Sequence, residues 1–332
     1  MTIVDIAKEA GYSVSTVSRV LNGRRDVSEE ARDRIMRIVE AYQFVPNNNA
    51  KHLKQTVSQS ILILVKGTSN MLFTNIIEVI QDTIEGSDYS LRVHYLDEDA
   101  DEVKEAVRMC REHKPMGILF LGGNIQYFHE EFELVNVPCV LVTDRADKLG
   151  FRNLASVSTD DMAAAEMAVD YLFDHGHRDI AVIGGDMALS SPSKYRKAGA
   201  KRSFIKHGCE FEESYAVARF SYESAYNAMN RMLASKRSIT AVFAMSDVMA
   251  VGAMRAIFDA GLRVPEDISV IGFDGTLLAD YYNPKIVTVC QGYEKIARKS
   301  IDLLFGMIDL NKPATHELVP FSLKNTESVS SI

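Results

Sequence analysis

The chain has 332 residues, 47% hydrophobic and 25% charged, which suits a globular protein of more than one unit and excludes both global disorder and a single small module. No apolar run approaches the roughly 18 residues that span a bilayer, and residues 1–11 carry Asp5 and Glu9 where a signal peptide is basic and then apolar, so the chain is expected in the cytoplasm. The net charge of −8 conceals a split: residues 1–56 hold nine Lys and Arg against seven Asp and Glu, while the remainder holds 28 against 38, a mildly basic head before an acidic body.

At the head, Thr2 can cap a helix with Asp5 returning the bond, Ile6, Ala7 and Ala10 form its apolar face, and Gly11 ends it. Ser13 caps a second helix in which Val14, Val17, Val20 and Leu21 keep a spacing of three and four, and Asn22-Gly23 stops it. Ser28 caps a third, with Glu29 and Glu30 in the first turn and Ala31, Ile35, Ile38, Val39 and Tyr42 facing inward. Ala7, Gly11, Val17 and Val20 stand where a helix-turn-helix needs a small contact residue, a glycine in the turn and apolar anchors behind the second helix. Ser15, Thr16, Ser18 and Arg19 then fall on or beside the outer face, as short donors and one Arg suited to major-groove edges and phosphates. A plain three-helix cap with a solvated polar face has the same pattern. Residues 46–54 begin with a proline helix-start signal but are too short to be helical alone, which predicts a conditional helix.

From Ser60 onward β-branched runs at 61–65, 91–96, 117–121, 140–143, 180–184, 216–220, 241–245, 269–273 and 287–289 alternate with helical patterns at 73–85, 162–174, 224–233, 248–260 and 296–307. Such alternation means parallel sheets covered on both faces, and so many strands predict two similar halves instead of one doubly wound domain. The runs 179–184 and 267–272, DIAVIG and DISVIG, echo one repeated unit.

The stretch from Thr2 to Leu53 resembles the lactose-repressor (LacI/GalR) family of bacterial transcription regulators, through Val4-Asp5-Ile6-Ala7, Ala10-Gly11, Ser15-Thr16-Val17-Ser18-Arg19-Val20-Leu21-Asn22 and Pro46-Asn47 with Ala50 and Leu53. The resemblance extends through residues 174–185, 246–253, 264–274 and 284–291. It implies an all-α helix-turn-helix DNA-binding head (1–46), a hinge helix (47–56), and an α/β effector and dimerisation domain (57–332). That domain would be periplasmic-binding-protein-like, with two Rossmann-like halves, about 57–158 with 288–319 and 159–287 with 320–332, the chain crossing near Ser158, Val287 and Pro320. DNA contacts carry over to Thr2, Ser13, Ser15, Thr16, Ser18, Arg19 and Asn22, and in the hinge to Asn47, Ala50, Lys51 and Leu53, the last as a minor-groove wedge. Lys51 stands where relatives often carry Arg. Arg196-Lys197-Ala198-Gly199 reads as opening a helix after the Gly184-Gly185 loop, and effector contacts carry over to Phe73, Arg196, Phe220, Ser246 or Asp247, Asp274 and Gln291. The implied partners are a near-palindromic double-stranded operator, a small effector of sugar type and a second copy of the chain, with no cofactor, metal or membrane. Asn70-Met71-Leu72-Phe73 replaces the Asn-Pro-Phe-Phe of many relatives, and Thr143 stands where sugar binders often place an acid, so an atypical effector is expected. Control by a protein partner or a non-sugar corepressor is the competing reading.

Other chemistry finds little support. Gly184-Gly185 and Gly272-Phe273-Asp274-Gly275 follow strands without completing GxGxxG or GxxxxGK[ST], so a nucleotide enzyme lacks its phosphate cradle. His175 and His177 read as a helix end with surface polarity, and Glu130-Glu131 and the 97–102 acid run as solvated faces. Cys110, Cys139, Cys209 and Cys290 form no CxxC pair and read as buried thiols.

Overall fold

Three short helices open the chain, α1 (Ile3–Ala10), α2 (Val14–Leu21) and α3 (Glu29–Ala41). The computed structural model describes residues 3–21, 27–42, 59–68, 70–235 and 238–332, and the chain divides into two units, Met1–Ser58 and Gln59–Ile332. In the first unit Ser13 Oγ accepts from Thr16 N–H at 3.2 Å and Ser28 Oγ from Ala31 N–H at 3.4 Å, satisfying amides that a helix start leaves open. Gly11 makes the tight turn at φ +73°, where a side chain would be strained. Ile6, Ala7, Ala10, Val17, Val20 and Ile35 form the small core. Two expected core residues lie outside it. Val14, in the first turn of an eight-residue helix, is 42% exposed, and Tyr42 at the end of α3 is 53% exposed and donates its hydroxyl to Glu9 Oε1 at 3.2 Å.

The second unit holds two six-stranded sheets. The first, in spatial order β11 (His316–Leu318), β5 (Leu154–Ser158), β4 (Cys139–Val142), β3 (Gly117–Leu121), β1 (Ser60–Lys66) and β2 (Ser90–Leu96), is parallel throughout. The second runs β12 (Ser322–Lys324), β10 (Val287–Cys290), β9 (Ser269–Asp274), β8 (Ala241–Ala244), β6 (Ile180–Gly184) and β7 (Tyr215–Val217), with only β12 antiparallel. The two echoing runs become β6 and β9, one on each side of β8. The period of two assigns side chains to faces. Ile61, Ile63, Val65, Leu119 and Leu121 pack with the helices Met71–Ile84 and Tyr293–Leu310, while Leu62, Leu64, Ile118 and Phe120 pack on the opposite face with Phe128 and Phe132. Each such fully buried side chain contributes about 1.5–3 kcal/mol.

The chain passes between the sheets after Ser158, at Gln291–Gly292 and between Leu318 and Ser322. The second passage therefore comes later than the expected Val287, because Val287–Cys290 pairs in register with β9. The run at 216–220 is shorter than expected: β7 stops at Val217, and Phe220 lies in the loop before the helix Tyr222–Ala234. Helices Glu102–His113, Ile125–Glu131 and Leu277–Tyr281 fill gaps where no helical pattern was singled out, and Ser191–Lys206 begins five residues ahead of the start expected at Arg196. Only Cys139 is fully buried, the other three thiols being half-buried. His177 is interior instead of surface polarity, with Nδ1 on the Thr240 hydroxyl at 3.1 Å and Nε2 on the Ser330 carbonyl at 3.0 Å. Among the described residues no helix is long and apolar enough to cross a membrane.

Candidate functional site

In the head, Val17 and Val20 of α2 are buried while Ser15 and Arg19 are exposed, Thr16 and Ser18 are half-buried, and the exposed Ser13 stands just before the helix. The Ser13 hydroxyl also bonds those of Ser15 (2.7 Å) and Thr16 (2.8 Å), so one cap organises three of the short donors. Thr2, Asn22, Asn47, Ala50, Lys51 and Leu53 lie outside the described residues.

In the body, parallel strands end together, and the loops that follow enclose a cavity of about 210 Å³ between the two sheets' domains. From the first half come Lys66 at the end of β1 with Gly67 and Thr68 after it, Asp97 and Glu98 after β2, Gly122 and Gly123 after β3, and Thr143 after β4, with Asn70 and Phe73 at the start of a helix. The second half contributes Ser190 and Arg196, then Arg219, Phe220 and Ser221 after β7, and Asp274 at the end of β9. Thr143 (φ +70°) and Asp274 (φ +116°) are non-glycine residues in left-handed backbone, one on each half and both on the wall. Strain of that kind is retained where it aims a side chain. Gly185 leaves room for Phe220: a Cβ there would lie 2.7 Å from the ring.

Three cations reach the wall. Lys66 Nζ donates to Glu102 Oε2 at 2.6 Å, both side chains being buried, and sits over the Tyr127 ring. Arg196 donates from Nε to Asp161 Oδ1 (2.7 Å) and from Nη1 to the Met245 carbonyl (2.6 Å), stacks on Phe273 at 3.8 Å, and approaches Asp274 Oδ1 at 3.8 Å. Burial pushes Asp274 well above the usual carboxylate range, with Arg196 opposing and Asp247 reinforcing. Arg219 donates to Asp97 Oδ1 (2.5 Å) and Glu98 Oε2 (3.0 Å), an exposed set joining the second half to the first.

Of the residues singled out for an effector, Phe73, Arg196, Phe220 and Asp274 line this cavity. Ser246, Asp247 and Gln291 stand behind the wall. Ser246 Oγ caps the helix Asp247–Asp259 through Met249 N–H (3.1 Å). Asp247 accepts the Thr276 amide and hydroxyl (2.7 and 2.8 Å) and the Thr288 hydroxyl (2.6 Å), fastening β9 to β10. Gln291 is fully buried and donates from Nε2 to Asp274 Oδ1 at 2.7 Å, so it holds the carboxylate that faces the cavity. Arg196 lies inside the helix Ser191–Lys206 instead of opening it, since Ser190 is the cap, accepting from Ser193 N–H at 3.3 Å. The acid run at 97–102 is a solvated face only in part: Asp97 and Asp99 are exposed, but Asp97 and Glu98 line the cavity and Glu102 is 1% exposed. Its signal was position, Asp97 and Glu98 being the first two residues past the end of β2.

A three-helix head joined in one chain to a two-sheet body with a cleft at its strand ends defines a ligand-responsive DNA-binding regulator. The family described as bacterial regulatory proteins, lacI family, matches residues 2–47, and the periplasmic binding protein-like domain matches residues 169–329. The chain is 34% identical to the HTH-type transcriptional regulator MalR of Clostridium butyricum over all of both chains, and 30% identical to the HTH-type transcriptional repressor PurR of Pasteurella multocida, covering 93% of this chain and 92% of that one. The crystal structure of the lac repressor dimer bound to operator and the anti-inducer ONPF superposes with a TM-score of 0.82 at 25% identity, covering 100% and 99% of the two chains. The chain belongs to the LacI family of bacterial transcriptional regulators.

Proposed function

We propose that the protein represses transcription in the bacterial cytoplasm as a homodimer on a near-palindromic operator, and that a small polyhydroxylated ligand of sugar type, held in the cleft, sets its operator affinity. Ser13, Ser15, Thr16, Ser18 and Arg19 read one half-site in the major groove, and two copies read the pair. The observation that carries ligand control is a cavity whose wall is shared between both halves. A ligand touching both binds one closure angle better than another, and only such differential affinity shifts a conformational equilibrium. Asp274 offers its carboxyl to hydroxyls, Phe73 and Phe220 offer aromatic faces to a sugar ring, and Gln291 holds the carboxyl in place with the Arg196 charge 3.8 Å away. The reading asks the cleft to bind and not to catalyse.

The test is an operator, selected from a random duplex pool with the purified protein, titrated by fluorescence anisotropy in the presence of a monosaccharide and disaccharide panel. At least one sugar is expected to change operator affinity 5- to 150-fold, and linkage requires the operator to change that sugar's affinity by the same factor. Asp274→Ala should abolish the response. A response that survives both Asp274→Ala and Arg196→Ala would remove the ligand from this cleft, and none to any sugar would favour a protein partner or a non-sugar corepressor.

A further inference from the structure

The reading of the cleft as a sugar site leaves open which sugars it admits, and the charges on its wall address that. Each of the three cations that reach the cavity has a carboxylate partner within the protein: Lys66 with Glu102, Arg196 with Asp161, and Arg219 with Asp97 and Glu98. The third set differs from the others in two ways. It spans the halves, since Arg219 follows β7 while Asp97 and Glu98 follow β2, and Asp99 Oδ2 adds a further oxygen 3.6 Å from Nη1. It is also tied to the aromatic wall, because Phe220 N–H donates to Glu98 Oε1 at 3.2 Å. An incoming carboxylate or phosphate would have to displace acids from a guanidinium that three acids surround. A hydroxyl can instead bond the outward lone pairs of Asp97 and Glu98 without breaking the set.

We propose that Arg219 and the Asp97-Glu98-Asp99 run form a clasp across the cleft mouth that makes the site selective for uncharged sugars of single-ring size. The size follows from a cavity of about 210 Å³, below the roughly 300–1,000 Å³ of pockets that hold drug-sized ligands. The charge selectivity follows from the clasp, which consumes the one wall cation that is not buried, Arg219 being 51% exposed. This inference rests on the sugar-site reading above and adds to it a specificity-determining set of residues.

The experiment uses the full chain and matched series measured by isothermal titration: D-glucose with D-glucuronate and D-glucose 6-phosphate, D-galactose with D-galacturonate and D-galactose 6-phosphate, D-ribose with D-ribose 5-phosphate, and the disaccharides cellobiose and maltose. In whichever series binds, the neutral monosaccharide is expected to bind at least tenfold more tightly than its charged counterparts and than either disaccharide. Asp97→Asn with Glu98→Gln, which frees Arg219 while keeping shape, should raise affinity for the charged member about tenfold and shrink the preference. Arg219→Ala should keep or widen it, because the acids remain. A clasp that only held the halves together would weaken all members alike in both variants, which would overturn the assignment. A charged sugar or a disaccharide that binds more tightly than its neutral monosaccharide in the unmodified protein would overturn the selectivity itself. Binding by no member would instead refute the sugar-site reading beneath it. Circular dichroism melts report the folding of each variant, and the exposed positions of Asp97 and Arg219 favour native stability.

Discussion

Asp144 directly follows Thr143 at the cavity wall and is 1% exposed; its Oδ1 accepts from Arg145 N–H at 2.7 Å and its Oδ2 has no hydrogen-bond partner among the described residues. Burial pushes its carboxyl up from 3.8 to about 8, the Arg145 amide opposing and Asp161 adding repulsion. The folded-state value is therefore raised, and the stability tied to the neutral form is complete below about pH 4 and is lost as pH climbs toward 8. Across that window the unfolded chain has released the proton and the folded chain has kept it, so stability falls by about 1.4 kcal/mol per pH unit. Integrated, the cost is about 6 kcal/mol as an upper bound, and several kcal/mol once relaxation and water entry are allowed. Asp144→Asn removes the ionisation, adding a buried amide whose unsatisfied donor costs roughly 1–3 kcal/mol at every pH. Urea unfolding of both proteins at pH 5 and pH 8 isolates the titration, since every other group cancels in the comparison. The gap between them should move by about 4 kcal/mol in favour of the variant over those three pH units. Parallel losses of stability in the two proteins would refute the reasoning, because Asp144 would then be ionised in the folded state at both pH values.

Arg19→Ala should weaken specific operator binding by about 1–3 kcal/mol and flatten preference at one base pair; an unchanged preference at every position of the selected operator would remove it from base reading. Asp247→Ala, which strands the Thr276 amide and two hydroxyls in the interior, should lower stability by about 3–5 kcal/mol; intact urea stability would show that these bonds do not hold β9 to β10. Gly185→Ala, whose Cβ would lie 2.4 Å from the buried Ser193 Oγ and 2.7 Å from the Phe220 ring, should displace both and weaken binding of a responsive sugar roughly tenfold, within an overpacking cost of about 1–3 kcal/mol. Unchanged affinity in that variant and in Phe220→Ala would place the ring outside the contact.

The helices of the head were legible because each carries its own start and stop signals: Ser13 and Ser28 cap where they should, and Gly11 turns where it should. The errors there, Val14 and Tyr42, fall at helix ends, where periodicity has no following turn to confirm a face. In the body the alternation of β-branched runs with helices was enough for two parallel sheets. The missed helices have no common cause: Glu102–His113 carries an apolar face at Val103, Ala106, Val107 and Met109. In Ser191–Lys206, whose start was expected only at Arg196, the buried positions are Ser193, Arg196, Gly199, Ala200, Ser203 and Phe204, mostly small or polar, so the apolar stripe that marks a helix is absent although the helix is packed. Gly199 shows why: it leaves room for the Met162 backbone, which no larger residue could approach.

The cleft was half legible, and the dividing line is physical. Residues at the carboxyl end of an apolar strand, such as Asp274, can be located because strand ends are local. Whether such a residue faces a ligand or braces another wall residue depends on a partner far along the chain. Asp247 and Asp274 carry the same group at similar positions, yet the partners of Asp247, Thr276 and Thr288, absorb both its oxygens, while Asp274 has one oxygen held by Gln291 and is turned to the cavity by its positive φ. The acid run at 97–102 fails in the opposite direction. A solvated face and a wall that clasps Arg219 from 121 residues away have identical composition, and only the pairing of β2 beside β1 brings Glu98 to the cleft and sends Glu102 inward to Lys66. Charge patterning in sequence therefore reports which groups are available, and the topology of the sheets decides which of them meet.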